Sequence, residues 1–363
     1  MRVVIRACAS QQIGSGHVVR CLALAEALRQ HDASVVFICR DNPGNLIAHI
    51  KQKGFAVITL PRHPRQVLDD ASTGYQRWLG VSQQEDAEDT IQAIAKQPVD
   101  WLIADHYALD QDWENLLRPY VDKIMVIDDL ANRRHHCEML LDQTYGRDVS
   151  DYRPLVPAST RLLLGSNNAL LRSEFARARP LAIKRREQYE GIGRILVSLG
   201  SMDESNVTPS VLQALALVKW QLRPVIDIVL TSAAPHLSAL KLMLEDFPLV
   251  VNLHINVDDM AERMLNADLA IGAGGTTSWE RCSLALPSIL MILADNQVVI
   301  CQNLERAGAA ISLQLNDSTI TNIKDSIERL ARDDSAYRAM SLSASEICDG
   351  AGATRVAREL VNG

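Results

Sequence analysis

The sequence predicts an α/β protein built from two doubly wound, Rossmann-like domains facing across a cleft. Three observations carry this. Short β-branched runs alternate with amphipathic segments from end to end. Those runs are nearly continuous in apolar residues, as strands buried on both faces of a parallel sheet must be. And 363 residues are too many for one ordinary core and suited to two.

The first series of strands is expected at "RVVIRA" (2–7), "SVVFIC" (34–39), "AVITL" (56–60), "DWLIAD" (100–105) and "KIMVID" (123–128). Between the first two, residues 18–30 place Leu22, Ala25 and Leu28 at helical spacing. A second series is expected at "RILVSL" (194–199), "VIDIVL" (225–230), "LVVNLHI" (249–255), "DLAIGA" (268–273) and "SILMIL" (288–293). Two successive βα series imply two doubly wound sheets. The join is expected in the charged, Arg-rich stretch 169–193, broken by Pro180, giving domains 1–172 and 173–363. The last segment, "GAGATRVARELV" (350–361), reads as a capped helix able to cross back onto the first domain.

Composition removes several classes. Net charge is −7 with acids and bases interspersed, so no basic stripe offers itself to nucleic acid. The start has too short an apolar run for a signal peptide, and no stretch of about twenty apolar residues would span a membrane. Seven scattered cysteines without zinc or redox spacing fit reduced thiols. A cytoplasmic monomer without metal or cofactor is expected.

Three glycine-bearing loops follow predicted strands, where such sheets bind ligands. In "IGSGHVVR" (13–20), Gly14 and Gly16 flank Ser15 and permit a tight turn and close approach to a ligand. It is neither a P-loop, since no Lys-Ser/Thr follows, nor a good dinucleotide fingerprint, since Val19 stands where a third glycine belongs. His17 falls in the first helical turn, where the helix dipole disfavours imidazolium. A neutral imidazole is what a general base requires; a histidine satisfied by a nearby carbonyl is the alternative. Arg20 follows on the same helix as a candidate substrate contact.

"GAGGTTSWE" (272–280) places Gly275, Thr276 and Thr277 at a helix start, a ready site for a diphosphate. Glu280, one turn in, is placed to accept the two hydroxyls of a ribose, or else belongs to the cap. Asn296 and Gln297 follow the next strand. In "VSLGSMDESN" (197–206), Gly200 and Ser201 can approach a ligand, while Asp203 can cap the next helix. Asp105, His106, Asp128, Asp129, His135 and His136 are also metal-binding types, but sugar contacts by Tyr107 and Asp129, or structural polar networks, are the favoured reading. "DQD" (110–112) reads as a helix cap, and 134–136 as a solvated loop.

Taken in order, "IGSGHVVRCLALA", "DHYALDQDWE", "IDDLANRRHHCEMLLDQ", "ALLRSEF", "GGTTSWERCSLALPSI" and "ADNQ" resemble the UDP-2,4-diacetamido-2,4,6-trideoxy-β-L-altropyranose hydrolases of pseudaminic acid biosynthesis. These look like hydrolytic relatives of the GT-B glycosyltransferases. The resemblance covers almost the whole chain. It implies that water displaces UDP from the anomeric carbon with inversion, that His17 activates the water, and that Gly275, Thr276, Thr277 and Glu280, with Asn296 and Gln297 nearby, hold the nucleotide. One departure stands out: relatives have two glycines before the hydroxyl residue of the third loop, whereas this chain has Leu199-Gly200-Ser201. The competing readings are a glycosyltransferase passing the sugar to an acceptor, a non-catalytic UDP-sugar binding protein, and an epimerase releasing UDP with altered C2 configuration.

Overall fold

The computed structural model describes residues 1–10, 12–62, 74–94, 97–200 and 202–363. The chain divides into two compact units: residues 1–173 with 351–363, and residues 174–350.

The first unit is a parallel sheet of seven strands among the described residues: β1 (Arg2–Ala7), β2 (Ser34–Arg40), β3 (Ala56–Leu60), β4 (Trp101–Asp105), β5 (Lys123–Ile127), β6 (Met139–Asp142) and β7 (Arg161–Leu164), in the order β3-β2-β1-β4-β5-β6-β7. Alternation along β1 sorts its side chains onto two cores. Val3, Ile5 and Ala7 face the helices Gly16–Arg29 and Gly352–Asn362, while Val4 faces Leu102, Ala104 and Trp113. The Gly352–Asn362 helix is held by Trp101 Nε1, which donates to Leu360 O at 3.0 Å, and by an Arg161–Glu359 ion pair. Gly352 lies so close to the backbone of Asn168 and Ala169 that any Cβ would collide with it.

The second unit is a six-stranded parallel sheet: β8 (Arg194–Ser198), β9 (Val225–Leu230), β10 (Val250–Ile255), β11 (Leu269–Ala273), β12 (Ser288–Ile292) and β13 (Ile311–Gln314), in the order β10-β9-β8-β11-β12-β13. Both sheets reverse direction beside their first strand. The chain winds outward from β1 through β2 to β3, then β4 returns to the other side of β1; β11 does the same beside β8. The loops after β1 and β4, and after β8 and β11, therefore splay apart and leave a crevice at each switch point.

Ten of these strands lie where the apolar runs place them, whereas β6, β7 and β13 went unread. These three are four residues long and Leu-rich or mixed, so neither length nor β-branching marks them. A second correction concerns Pro180, which does not break the chain. It lies inside the continuous helix Ser173–Glu187, which buries Phe175, Ala182 and Arg186. Proline forfeits one backbone hydrogen bond there and the buried face keeps the helix.

Arg6 is the polar exception on β1. Its guanidinium is wholly buried and grips Asp86 through Nε at 3.1 Å and Nη2 at 2.6 Å; Arg40 Nη2 reaches the same carboxylate at 2.7 Å. Trp113 Nε1 adds a fourth donor at 3.2 Å. Burial alone would raise the Asp86 pKa, but the two guanidiniums override it and hold it at about 2. Because that pKa lies below its ordinary 3.8, the pair stabilises the fold above pH ~4 and the contribution is lost as pH falls toward 2. The expected loss across that window is about 2–3 kcal/mol. Asp86→Asn should lower unfolding free energy by about 3–5 kcal/mol at neutral pH, since it strands the buried Arg6 guanidinium and leaves Arg40 with Asp89 alone, and should flatten the acid limb. Urea unfolding at a series of pH values checks both.

Candidate functional site

In the first unit the loop after β1 folds back on itself: Gly14 N donates to Ser10 O at 2.9 Å and the Ser10 hydroxyl accepts from Ile13 N at 3.0 Å. Gly14 sits at φ 76°, a conformation open to glycine, and Gly14 and Gly16 are exposed. Ser15 precedes the helix Gly16–Arg29 but makes no capping hydrogen bond with its side chain. His17 follows in the first turn, 6% exposed, with Nδ1 buried and unpartnered. No carbonyl satisfies that nitrogen, contrary to the structural alternative left open by the sequence. Burial depresses the His17 pKa; the Asp105 carboxylate opposes this and the Arg20 guanidinium reinforces it, so the net direction is down.

The loop after β4 meets this turn. Tyr107 packs edge-on against His17 with ring centroids 4.6 Å apart, and His106 lies 6.5 Å away. His106 is buried, its Nδ1 accepts from Ala108 N at 3.1 Å, and Nε2 is left without a partner. Burial, aided by the charge of Arg6, pushes its pKa down to about 3, so it is a neutral donor through Nε2–H. Tyr107 donates its hydroxyl to Asp129 Oδ2 at 2.9 Å, and Asp129 Oδ1 is buried without a partner. Tyr75 and Trp78 continue the wall: both rings lie against Tyr107, at 5.1 and 5.9 Å. These two residues escaped the sequence reading, since their short 3-10 turn, Gly74–Trp78, carries no glycine loop and no strand before it.

Arg20, expected to touch substrate, is 2% exposed and fully engaged. Nε and Nη2 grip Asp105 at 2.8 and 2.7 Å, and Nη1 reaches Asp129 at 2.5 Å. It positions Asp129 and leaves no free face for a ligand. The 134–136 segment is likewise not simply solvated: His135 is buried, with Nδ1 2.6 Å from Glu114 Oε1. Asp110 caps the next helix by accepting from Asp112 N at 2.9 Å. Among the described residues no group of three or more His, Cys, Asp or Glu is placed to hold a metal ion.

In the second unit β11 ends in the turn 272–275 and the helix Thr276–Ser283 begins. The Ser278 hydroxyl accepts from Gly275 N at 3.2 Å, which folds the turn over the helix start. Thr276 and Thr277 are half-buried and Glu280 is 7% exposed. Gly274 packs against Cys301, and a Cβ there would collide with the sulfur. Asn296 is exposed, whereas the Gln297 side-chain Oε1 accepts from Leu293 N at 3.0 Å and closes the 293–297 turn. In the loop after β8, Gly200 adopts φ 91° and Ser201 lies outside the described residues. Leu199 is buried in the core of this unit, so the leucine takes no room in the loop itself. Asp203 accepts from Val207 N and Thr208 N, both at 2.9 Å, at the start of the helix Thr208–Leu217.

Two parallel α/β units with ligand-type loops at both switch points define the GT-B class of fold. The crystal structure of Acinetobacter baumannii MurG matches with a TM-score of 0.73 at 15% identity, covering 100% of this chain and 99% of that one. Residues 206–354 match the glycosyltransferase family 28 C-terminal domain. The UDP-2,4-diacetamido-2,4,6-trideoxy-β-L-altropyranose hydrolase of Campylobacter jejuni is 28% identical over 66% of this chain and 73% of its own length. An uncharacterised protein of Methanocaldococcus jannaschii is 23% identical over 80% of this chain; the match spans about half of that relative, 55%. Among the described residues no helix is long and apolar enough to cross a membrane.

The packing of Gly274 on Cys301 makes a direct test of the turn. Gly274→Ala should cost about 1–3 kcal/mol through overpacking, and Cys301→Ala in the same chain should recover most of it. Urea midpoints of the two single variants and the double variant give the answer.

Proposed function

We propose that the chain is a UDP-sugar hydrolase, and that its substrate is UDP-2,4-diacetamido-2,4,6-trideoxy-β-L-altropyranose. Water attacks the anomeric carbon from the face opposite UDP. The new C–O bond forms as the C1–O bond to the diphosphate breaks, and its electron pair leaves with UDP. The water proton passes to His17, and the products are UDP and 2,4-diacetamido-2,4,6-trideoxy-L-altrose, inverted at the anomeric carbon.

The observation that carries this reading is His17: a buried imidazole at a helix start, its pKa depressed and Nδ1 unpartnered, beside an ordered Tyr107–Asp129 pair. A base kept neutral needs no prior deprotonation to accept a proton near neutral pH. UDP is a good leaving group, and its developing charge meets the N–H groups at the start of the Thr276–Ser283 helix. Gly275, Thr276 and Thr277 are assigned to the diphosphate, Glu280 to the ribose, and Asn296 and Gln297 to the same nucleotide. Gly14, Ser15, Gly16, Gly200 and Ser201 are assigned to the approach of the sugar. Asp129 Oδ1 and His106 Nε2–H offer it an acceptor and a donor. The Campylobacter relative supports the hydrolytic reading and its sugar.

The match to the glycosyltransferase family 28 C-terminal domain favours a second reading, transfer of the sugar to an acceptor hydroxyl. Incubation with the UDP-linked diacetamido-altrose in oxygen-18 water, without acceptor and with chelator, separates the two. Hydrolysis puts the label in the free sugar and none in UDP; release that waits for an added acceptor overturns the hydrolase reading.

His17→Asn should lower kcat by about 100- to 10,000-fold with the fold retained. In the native protein the base is active when deprotonated and its pKa is depressed. The rate should therefore hold as pH falls through the ordinary 6.5 and decline only below it. A kcat/KM profile between pH 4.5 and 8 would count against His17 if its acid limb lay at or above that ordinary value.

A further inference from the structure

Arg281 has no place in the reading above, yet among the described residues it is one of two buried guanidiniums in the second unit that bond only uncharged groups; the other, Arg186, lies against the carbonyls of Met264 and Leu265, away from the glycine turn. It is 2% exposed, on the third residue after Ser278 and directly after Glu280. Nη2 donates to Ala273 O at 2.8 Å and to Ser278 Oγ at 3.1 Å, and Nη1 to Thr277 Oγ1 at 3.4 Å. All three acceptors are uncharged, all three belong to the turn and helix start assigned to the diphosphate, and Nε is buried without a partner. Among the described residues Arg281 makes no ion pair, whereas the buried Arg6, Arg20 and Arg40 of the first unit each grip at least one carboxylate. The turn is shaped around it: a Cβ on Gly272 would come within 2.5 Å of Nη1.

A buried cation without a counter-charge is costly, and a bound anion can supply the missing charge. We propose that Arg281 is a positioning residue for the diphosphate, a charge set against the inner side of the 272–275 turn that a nucleoside diphosphate neutralises when it settles on the helix start. This rests on the UDP-sugar reading and deepens it. The helix dipole supplies only about half a unit charge and hydroxyls supply none. A guanidinium behind the turn adds a full one in a region shielded from water, where a separation of several ångströms still leaves substantial attraction. Burial pulls its pKa down and Cys282 and Glu280 offset this only in part, as expected of a cation waiting for its anion. The same charge would favour departure of UDP, because the negative charge on the leaving diphosphate grows as the C1–O bond breaks.

The test compares UDP with uridine on the full chain by isothermal titration, with saturation-transfer NMR for the weaker ligand. Arg281→Met should weaken UDP binding on the order of ten- to hundred-fold and leave uridine within about two-fold. Arg281→Lys, which keeps the charge but not the fork, should fall between. An equal loss for UDP and uridine would make Arg281 merely structural, and UDP binding as tight as in the native chain would remove its role altogether. A native chain that binds no UDP fails at the first titration and overturns the reading beneath the proposal, so the two failures are distinct. Where Arg281→Met does not fold, Arg281→Lys and Arg281→Gln carry the same comparison.

Discussion

The ion pair between Arg20 and Asp105 is the constraint on which the first unit's chemistry depends. Arg20 lies one turn after His17 on the helix Gly16–Arg29, and Asp105 is the last residue of β4, just before His106 and Tyr107. Their two-pronged contact therefore bolts the two sides of the switch point together. Nη1 then fixes Asp129 from the loop after β5, which in turn fixes the Tyr107 hydroxyl. The pair also sets the electrostatics of His17. Asp105 favours its protonation and Arg20 disfavours it, while burial, the largest influence, sets the net direction downward. A carboxylate without Arg20 beside it would pull His17 toward the imidazolium; a lone guanidinium would leave a buried cation unmatched.

The two units use one topological device for opposite charges. In the first, two carboxylates, Asp105 at a strand end and Asp129 in a loop, meet a single guanidinium, and a carboxylate oxygen of Asp129 is left over. That balance suits neutral hydrogen-bonding groups such as hydroxyls and amides. In the second, a guanidinium meets only carbonyl and hydroxyl oxygens, and the N–H groups of a helix start lie beside it. That balance suits an anion. Glycine serves each case differently: Gly14 supplies a positive φ for a turn, whereas Gly272 and Gly274 supply room for Arg281 and Cys301.

What the sequence discloses follows from how local each signal is. The long strands and the glycine turns are written in contiguous residues, and so is the placing of His17 and Thr276 on first helical turns and of Glu280 one turn in. The β6, β7 and β13 strands are too short to show a period. Arg20 read as a ligand contact because its partners stand 85 and 109 residues away, and nothing local marks a cation as already matched. His135, in a loop, read as solvated for the same reason, its Glu114 partner lying 21 residues back on the helix Gln111–Leu117. Tyr75 and Trp78 gain meaning only when folding lays them against Tyr107. Arg281 is the converse. Its missing partner is visible only once every neighbour is in place.

The covering of His17 bears on which nucleophile a base in that position serves. The ring is 6% exposed, with Tyr107 packed against it and Tyr75 and Trp78 packed on Tyr107. A base so enclosed demands less rearrangement of a water molecule than of an acceptor sugar, which must bring its whole ring to the same nitrogen. Enclosure also keeps the imidazole neutral, so one packing arrangement sets both the pKa of the base and the size of what it activates. Opening the site to a bulky acceptor would hydrate His17 and return its pKa toward the ordinary value, leaving less of the imidazole unprotonated near neutral pH. On the hydrolase reading proposed above, burial ties proton affinity to nucleophile size, and both favour water.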